Sequence, residues 1–494
     1  MRPRRPPQRP CQRQRGAILI MFVVMVLLLL AMAGMALDLA MAYNRKTELQ
    51  ALADAAALAA ARELNGTAAG IDNAVAAAET AAANFKYHYN TAPIPWSSAA
   101  LSFAAAPGVP DAAWRSAGSA ATTPAGLRYA RVDTAALDDL DGSLNNIPSI
   151  FMRANAGAPT TLRASARAVA GRMTIPVTPL AICAQAGTPA AMRANSSNPA
   201  YNELVEFGFR RGVGYNLMNL NPNGLTPENF LIDPLSPPDT PGSPANFSTA
   251  VVGPFVCAGT MLMAGVTGGT LNVQRNFPLS SLYTHLNSRF DNYADNACAP
   301  EGAPPDTNIK QYAYTSIGWL SPAAAAQGAA AWTDGGIRLR TRADPLPGPA
   351  GTTAAQYGPL WAYAKAVPYS AYVAAPVEPA AGYATFTTGA WSTLYTPGPP
   401  TANSYPSLAP TATPYTTAGA TYSSAPSRTG LPRRRVLNLA LLACPVPAGA
   451  TANATVLGVG RFFMTVPATA TALTAEFAGA TPAASLAGTV ELQP

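Results

Sequence analysis

Histidine is almost missing: two residues in 494, His88 and His285, in a chain of which only 12% is charged. An enzyme working near neutral pH usually needs a group that titrates there. His88 sits in K-Y-H-Y at the end of an expected helix, where a cation simply suits the helix dipole, so His285 is left as the one candidate base. There is no G-x-S-x-G elbow to hold a serine nucleophile and no H-E-x-x-H to hold zinc. Nor is there a G-x-x-x-x-G-K-[ST] loop for phosphate; Gly212-Val-Gly214 and Gly458-Val-Gly460 lack a third glycine and read as turns or bulges. No C-x-x-C pair occurs, which sets aside redox and zinc-ribbon chemistry. These absences leave no catalytic residue, cofactor, metal or small-molecule substrate to infer.

Lysine is scarce too, four against 28 arginines, and the arginines are unevenly placed. The formal charge is +7, but six arginines (Arg2, Arg4, Arg5, Arg9, Arg13, Arg15) lie in the first 15 residues, leaving 26 basic against 25 acidic groups elsewhere. A nucleic-acid-binding domain needs a basic face, and beyond the tail only Arg433, Arg434 and Arg435 cluster. No nucleic-acid partner is expected.

What the chain does contain is a long apolar run. Ala17 through Leu37 holds 21 residues without a charge, enough for a helix to cross a hydrocarbon core of roughly 30 Å. The arginines before it keep the tail cytoplasmic and send the rest across. Helix is not interrupted until Asn65-Gly66, so one rod of roughly 70 Å is expected. Leu49, Leu52, Ala56, Ala59 and Ala60 form a stripe flanked by further alanines, which either admits a partner helix or makes the rod a bare spacer. Cleavage at an A-x-A site near Ala42 is the competing reading, but the apolar run is longer than a signal sequence needs.

Arg15-Gly16, the apolar span, Gly34, Asp38, Tyr43 and L-Q-A-L-A-D-A-A-A-L-A-A-A (Leu49 to Ala61) closely resemble the N-terminal region of TadG-like Flp pilus-assembly proteins. The resemblance covers about 50 residues, and by it the chain is an inner-membrane-anchored part of tight-adherence (type IVb) pilus assembly. It implies pilin-like or assembly-platform proteins as partners. It also makes Gly34, Asp38, Gln50, Ala53, Asp54, Ala56 and Ala59 candidate helix-packing residues, with Asp54 bonding Gln50 or a partner group. Prepilin processing at Gly16 is not expected, because the fifth following position is Met21 rather than Glu. The family's frequent von Willebrand A domain is not recognisable: Asp141-Gly-Ser143-Leu-Asn145 departs from D-x-S-x-S, and Asp138, Asp139 and Asp141 read as a solvated loop.

The expected fold class is α+β: a transmembrane helix continuing into an Ala-rich helical hairpin, then a β-rich, Pro/Gly-rich exported domain. The expected divisions are a tail (1–15), the span (16–37), the hairpin (38–90), a small α/β unit (91–172), a β-rich domain (173–345), an aperiodic Pro/Thr/Ser/Ala-rich region (346–430) and C-terminal strands (431–494). Within them Ile71 to Tyr89, Ile147 to Asn155 and Leu279 to Phe290 read as helices. Leu127 to Asp133, Leu162 to Ala170, Val251 to Val256, Thr270 to Val273, Val436 to Cys444 and Val456 to Val466 read as strands. Ile175 to Cys183 reads as an edge strand because of Pro176 and Pro179. Region 346–430 is either a decorated surface or poorly ordered. Cys11 belongs to the tail; Cys183, Cys257, Cys298 and Cys444 are disulfide candidates with three possible connectivities. Cys183 and Cys444 each end a strand-like run and could lie on neighbouring strands, leaving Cys257 with Cys298. The functional expectation is a non-enzymatic, single-span pilus-assembly component. Its rivals are a cleaved surface or secreted adhesin and an anchored periplasmic hydrolase using His285.

Overall fold

A computed structural model describes residues 15–64, 68–87, 91–124, 127–137, 144–152, 160–172, 174–195, 198–263, 265–320, 327–343, 354–395, 412–482, 486 and 490–493. The basic tail, Asn65-Gly66, His88 and the acidic stretch holding Asp138, Asp139, Asp141 and Ser143 lie outside them.

Helix α1, Arg15–Glu63, is continuous over 49 residues, as expected of a stretch with no proline and only two glycines, Gly16 and Gly34. It changes surroundings along its length. The large apolar side chains from Leu19 to Leu39 are exposed, whereas Leu49, Leu52, Ala53, Ala56, Ala57, Ala60 and Ala61 are wholly buried. Only the first part is long and apolar enough to cross a membrane. Helix α2, Ala68–Ala83, lies against α1 and buries Ile71, Ala74, Ala78 and Ala82 at i, i+3 and i+4 spacing. It ends six residues before the expected Tyr89: Lys86–Tyr87 turns into a short strand paired with Ala92–Pro93, aromatic side chains being better suited to extended backbone.

The two helices cover an antiparallel sheet ordered Val490–Gln493, Arg167–Arg172, Tyr129–Asp133, Leu101–Ala104, Arg115–Ser116. Period-two alternation turns Ala130, Val132, Ala168 and Ala170 towards α1 and α2, so small residues meet from both sides. The expected strand Leu162 to Ala170 is two strands. Thr161–Arg163 pairs with Asn146–Pro148, and after a break Arg167–Arg172 joins the sheet. Thr134 fills the break: its backbone N–H and Oγ1 both bond the Ala166 carbonyl, and the Ala166 N–H donates to Oγ1 at 2.8 Å. The helix expected over Ile147 to Asn155 is absent from its described part, where Asn146–Pro148 is a strand. Pro148 has no N–H to offer a helix or a second strand.

The larger unit is built on a ring of five strands: Leu180–Cys183, Asn229–Ile232, Thr270–Arg275, Thr451–Met464 and Val436–Leu442, which closes by parallel pairing back to Leu180–Cys183. Thr474–Ala480 and then Gly214–Asn216 extend from the long fourth strand. Leu180–Cys183 is therefore interior, not an edge; Pro176 and Pro179 precede the paired residues and cost the ladder nothing. One side chain set from the ring, including Ala181, Cys183, Phe230, Ile232, Val273, Ala440 and Val456, forms one cluster. The alternate set, including Leu180, Ile182, Leu231, Leu439 and Leu441, joins a larger aromatic core.

Val251 to Val256, expected as a strand, lies inside a helix, Thr249–Ala258, that starts after Ser248 and stops at Gly259 with φ 75°. Val252 and Val256, one turn apart, point into the core. Described parts of the aperiodic region supply some of the bulkiest core side chains: Tyr357, Trp361, Trp391 and Tyr395 are all buried, with Trp361 and Trp391 edge to face at 4.5 Å.

Candidate functional site

Two of the residues singled out in α1, Gly34 and Asp38, come together near the end of its exposed apolar part. Gly34 and Asp38, one turn apart, are the two buried positions in an otherwise exposed stretch. What covers them is the segment after strand Asn146–Pro148. The Asp38 carboxylate accepts the backbone N–H groups of Ile150 (3.0 Å), Phe151 (3.0 Å) and Met152 (2.7 Å). Burial pushes this carboxyl up, but the three N–H donors outweigh it and hold the group below its ordinary value. At Gly34 the Phe151 side chain lies on the helix backbone, and a Cβ there would come within 2.6 Å of the Phe151 Cβ. Two turns on, Arg45 Nη1 donates to the Leu144 carbonyl at 2.8 Å, and its guanidinium lies 4.6 Å from the Tyr87 ring centre. Gly34, Asp38 and Arg45 thus fasten one hairpin to α1 over about 16 Å of helix.

Beyond this clasp the Ala-rich face is covered by the chain itself. Ala53 and Ala56 are fully buried against α2 and the sheet beneath it, and Ala59 is half-buried. At Ala53 and Ala56 the helix that packs on α1 is thus one of the chain's own. Gln50 and Asp54 bond one another within α1 (Nε2 to Oδ1, 2.7 Å), and Gln50 also reaches the Arg167 carbonyl at 3.3 Å. Among the described residues, the side-chain bond of Asp54 runs along its own helix.

The cysteines are brought together as Cys183–Cys444 and Cys257–Cys298, with Cα separations of 5.6 and 5.7 Å. The first joins the ends of two parallel neighbours in the ring; the second ties helix Thr249–Ala258 to the loop at Cys298. Glu228 approaches Cys183 at 3.7 Å, but sulfurs joined to one another are poor metal ligands, and Glu228 is also ion-paired with Arg275.

Among the described residues no nucleophile or carboxylate hydrogen-bonds the His285 ring. It is half-buried on the helix Leu279–Asn287 against Gly253, its Nδ1 has no hydrogen-bond partner among the described residues, and burial pushes its pKa down. Two of the three clustered arginines are turned inward. Arg434 donates to the carbonyls of Cys257 and Ala258, capping a helix, while Arg435 is buried, bonds the carbonyls of Asn308, Lys310, Met464 and Thr465, and stacks on Phe290 and Phe463.

Sequence reasoning missed Glu476, which is wholly buried and accepts the N–H groups of Ala362 (2.7 Å), Tyr363 (3.0 Å) and Ala364 (2.7 Å). Burial pushes its carboxyl up to about 7 against the pull of those donors. A lone Glu in the run T-A-E-F-A-G-A was the only available signal. It also missed the part that Ile150, Phe151 and Met152 play.

No curated protein and no solved structure is significantly similar to the chain. The N-terminal helix is TadE/G-like: residues 16–63 match the family model described as "Putative Flp pilus-assembly TadE/G-like".

Proposed function

We propose that this protein is a single-span, non-enzymatic component of Flp (tight-adherence) pilus assembly, anchored in the inner membrane with its N-terminus cytoplasmic and its bulk on the far side. The observation that carries the reading is the TadE/G-like helix, residues 16–63, whose first part is apolar and exposed while its second part is built into a folded unit. Six arginines before the span and none of the opposite charge support the orientation. Because Ala53 and Ala56 are occupied internally, contacts with pilin-like or platform helices fall to the exposed span between Leu19 and Leu39, and contacts with pilus or envelope partners to the surface of the exported domain. Cleavage near Ala42 would cut α1 between Asp38 and Arg45, separating two fastenings of one hairpin, so an uncleaved anchor fits better than a released adhesin.

The test is a strain lacking the gene. Surface Flp pili should be lost and restored by the full-length chain, and undiminished piliation would reject the reading. Orientation is tested separately: a periplasm-dependent reporter should be active after Leu64 and silent at Arg13, and the reverse would overturn it.

A further inference from the structure

We propose that the segment Ile150–Met152 is a second membrane contact, an apolar loop that dips into the outer face of the same bilayer beside the span and is held there by Asp38. The inference rests on the span reading above and adds a lipid-binding site to it.

Depth comes from the helix. If Ala17 to Leu37 crosses the hydrocarbon core, Gly34 lies about 4–5 Å inside its end, at about 1.5 Å per residue. Phe151 packs on Gly34, so its ring lies at or below the edge of the core. Ile150–Met152 is apolar where water would favour polarity: Ile150 is 61% exposed and Phe151 48%. Met35 and Leu39, at the same level of α1, are exposed as well. Tyr43, about 6 Å beyond Leu39 along the helix, is 75% exposed, at the height where tyrosine rings gather among headgroups.

The backbone supports the same placement. Irregular chain is tolerated at membrane depth only when its polar groups have partners inside the protein. Here four successive N–H groups are satisfied: Ser149 by the Thr160 carbonyl, and Ile150, Phe151 and Met152 by the Asp38 carboxylate. An acidic residue directly after a transmembrane run is otherwise unexplained, since no cation pairs with Asp38 among the described residues. Its three bonds account for both its burial and its position. Two exposed apolar side chains on a described segment whose N–H groups, Ser149 to Met152, are all bonded within the protein suit interfacial insertion. The loop would fix how the exported unit stands on the membrane, which a single helix leaves free to rotate.

The test places single cysteines in full-length protein with Cys11 replaced by serine, the other four cysteines being held in disulfides. The chain is purified, reconstituted into phosphatidylethanolamine/phosphatidylglycerol vesicles and labelled with an environment-sensitive fluorophore at Leu28, Ile150 or Val377. Val377, 74% exposed in the larger unit, reports water. The Ile150 probe should be blue-shifted, quenched by lipids carrying a nitroxide high on the acyl chain, and protected from aqueous iodide, approaching the Leu28 probe and unlike Val377. Asp38→Ala, which removes the acceptors, and Gly34→Leu, which displaces Phe151, should each return the Ile150 probe to iodide while leaving Leu28 in lipid. If Leu28 is lipid-quenched but Ile150 responds as Val377 does, the loop proposal is wrong and the span stands. Protection of Ile150 from both iodide and lipid nitroxide would mean a protein interface there, which also overturns it. Failure of Leu28 to meet lipid would sink the span reading and the loop with it.

Discussion

Two buried carboxylates show how the same bonding pattern is tuned in opposite directions. Asp38 and Glu476 each accept three consecutive backbone N–H groups. In Asp38 the donors win and the pKa is lowered; in Glu476 burial wins and it is raised to about 7. A lowered carboxyl stabilises the fold above the unfolded value and stops doing so as pH falls through the depressed one. Amide-exchange protection of Ile150 to Met152 should therefore persist through mildly acidic solution and fail only below the usual carboxylate range, and an Asp38→Ala chain should lack it at every pH. Protection that faded on approaching neutrality would contradict this. A raised carboxyl works the other way. Glu476 contributes fully below its unfolded value of 4.5, and the contribution is lost as pH rises through about 7. That is a difference of about 3 kcal/mol at the scale of 1.36 kcal/mol per unit. Denaturant midpoints of the full chain should drop between about pH 5 and about pH 8, and Glu476→Gln should flatten that slope while lowering stability at acid pH. An unchanged slope in the variant would assign the pH dependence elsewhere. Neither role was legible in the sequence: Asp38 could be seen to follow the span, but a carboxylate's donors are supplied by residues more than a hundred positions away.

At the scale of elements, legibility followed how much of an element's pattern is local. Helix α1 was readable because alanine, leucine and the missing proline act within a few residues. Strand pairs such as Thr270–Arg275 with Thr451–Met464 show as separate apolar runs, while their register depends on the whole ring. Val251 to Val256 misled because valine, glycine and proline all lower helix propensity. The stronger signals were Ser248 before the run and Gly259 after it, with Val252 and Val256 one turn apart. The Ala-rich face was legible as a packing surface, but which protein covers it was not, since periodicity shows a face and never its occupant. Position 56 tests whether the chain's own packing is what that face serves. Ala56→Leu inserts three carbons into a fully occupied contact and should destabilise the unit of α1, α2 and their sheet by about 1–3 kcal/mol, whereas Ala51→Leu on the exposed side of the same helix should be nearly neutral. Limited proteolysis of the two variants in membranes should separate them. Equal resistance, with pilus assembly lost only in Ala56→Leu, would instead restore the external partner helix.

For the whole molecule, the C-terminal strand returns to the sheet under α1 and α2. Strand Val490–Gln493 pairs with Arg167–Arg172, so the larger unit is an insertion between two neighbouring strands of that sheet. Nothing in the sequence near Val490 marks that partner; four residues of moderate β-propensity could pair with any open edge, and only the assembled sheet offers this one. Two kinds of tie then act on the larger unit. Its ring is closed covalently by Cys183–Cys444 across 261 residues, while Cys257–Cys298 spans 41. Chain entropy alone assigns roughly 6 and 4 kcal/mol to these closures, upper values because the reduced chain keeps structure. The Cys183→Ser/Cys444→Ser pair should accordingly lower the denaturant midpoint more than Cys257→Ser/Cys298→Ser. Its effect should be confined to the larger unit, because the sheet under α1 and α2 contains neither bridge. Removing residues 490–494 should do the converse. With the edge strand gone, the unpaired side of Arg167–Arg172 faces water, so amide exchange there should quicken while the ring strands Leu180–Cys183 and Val436–Leu442 keep their protection. If truncation instead loosened the ring, the two units would share one cooperative core, and the insertion would be a feature of topology without energetic independence.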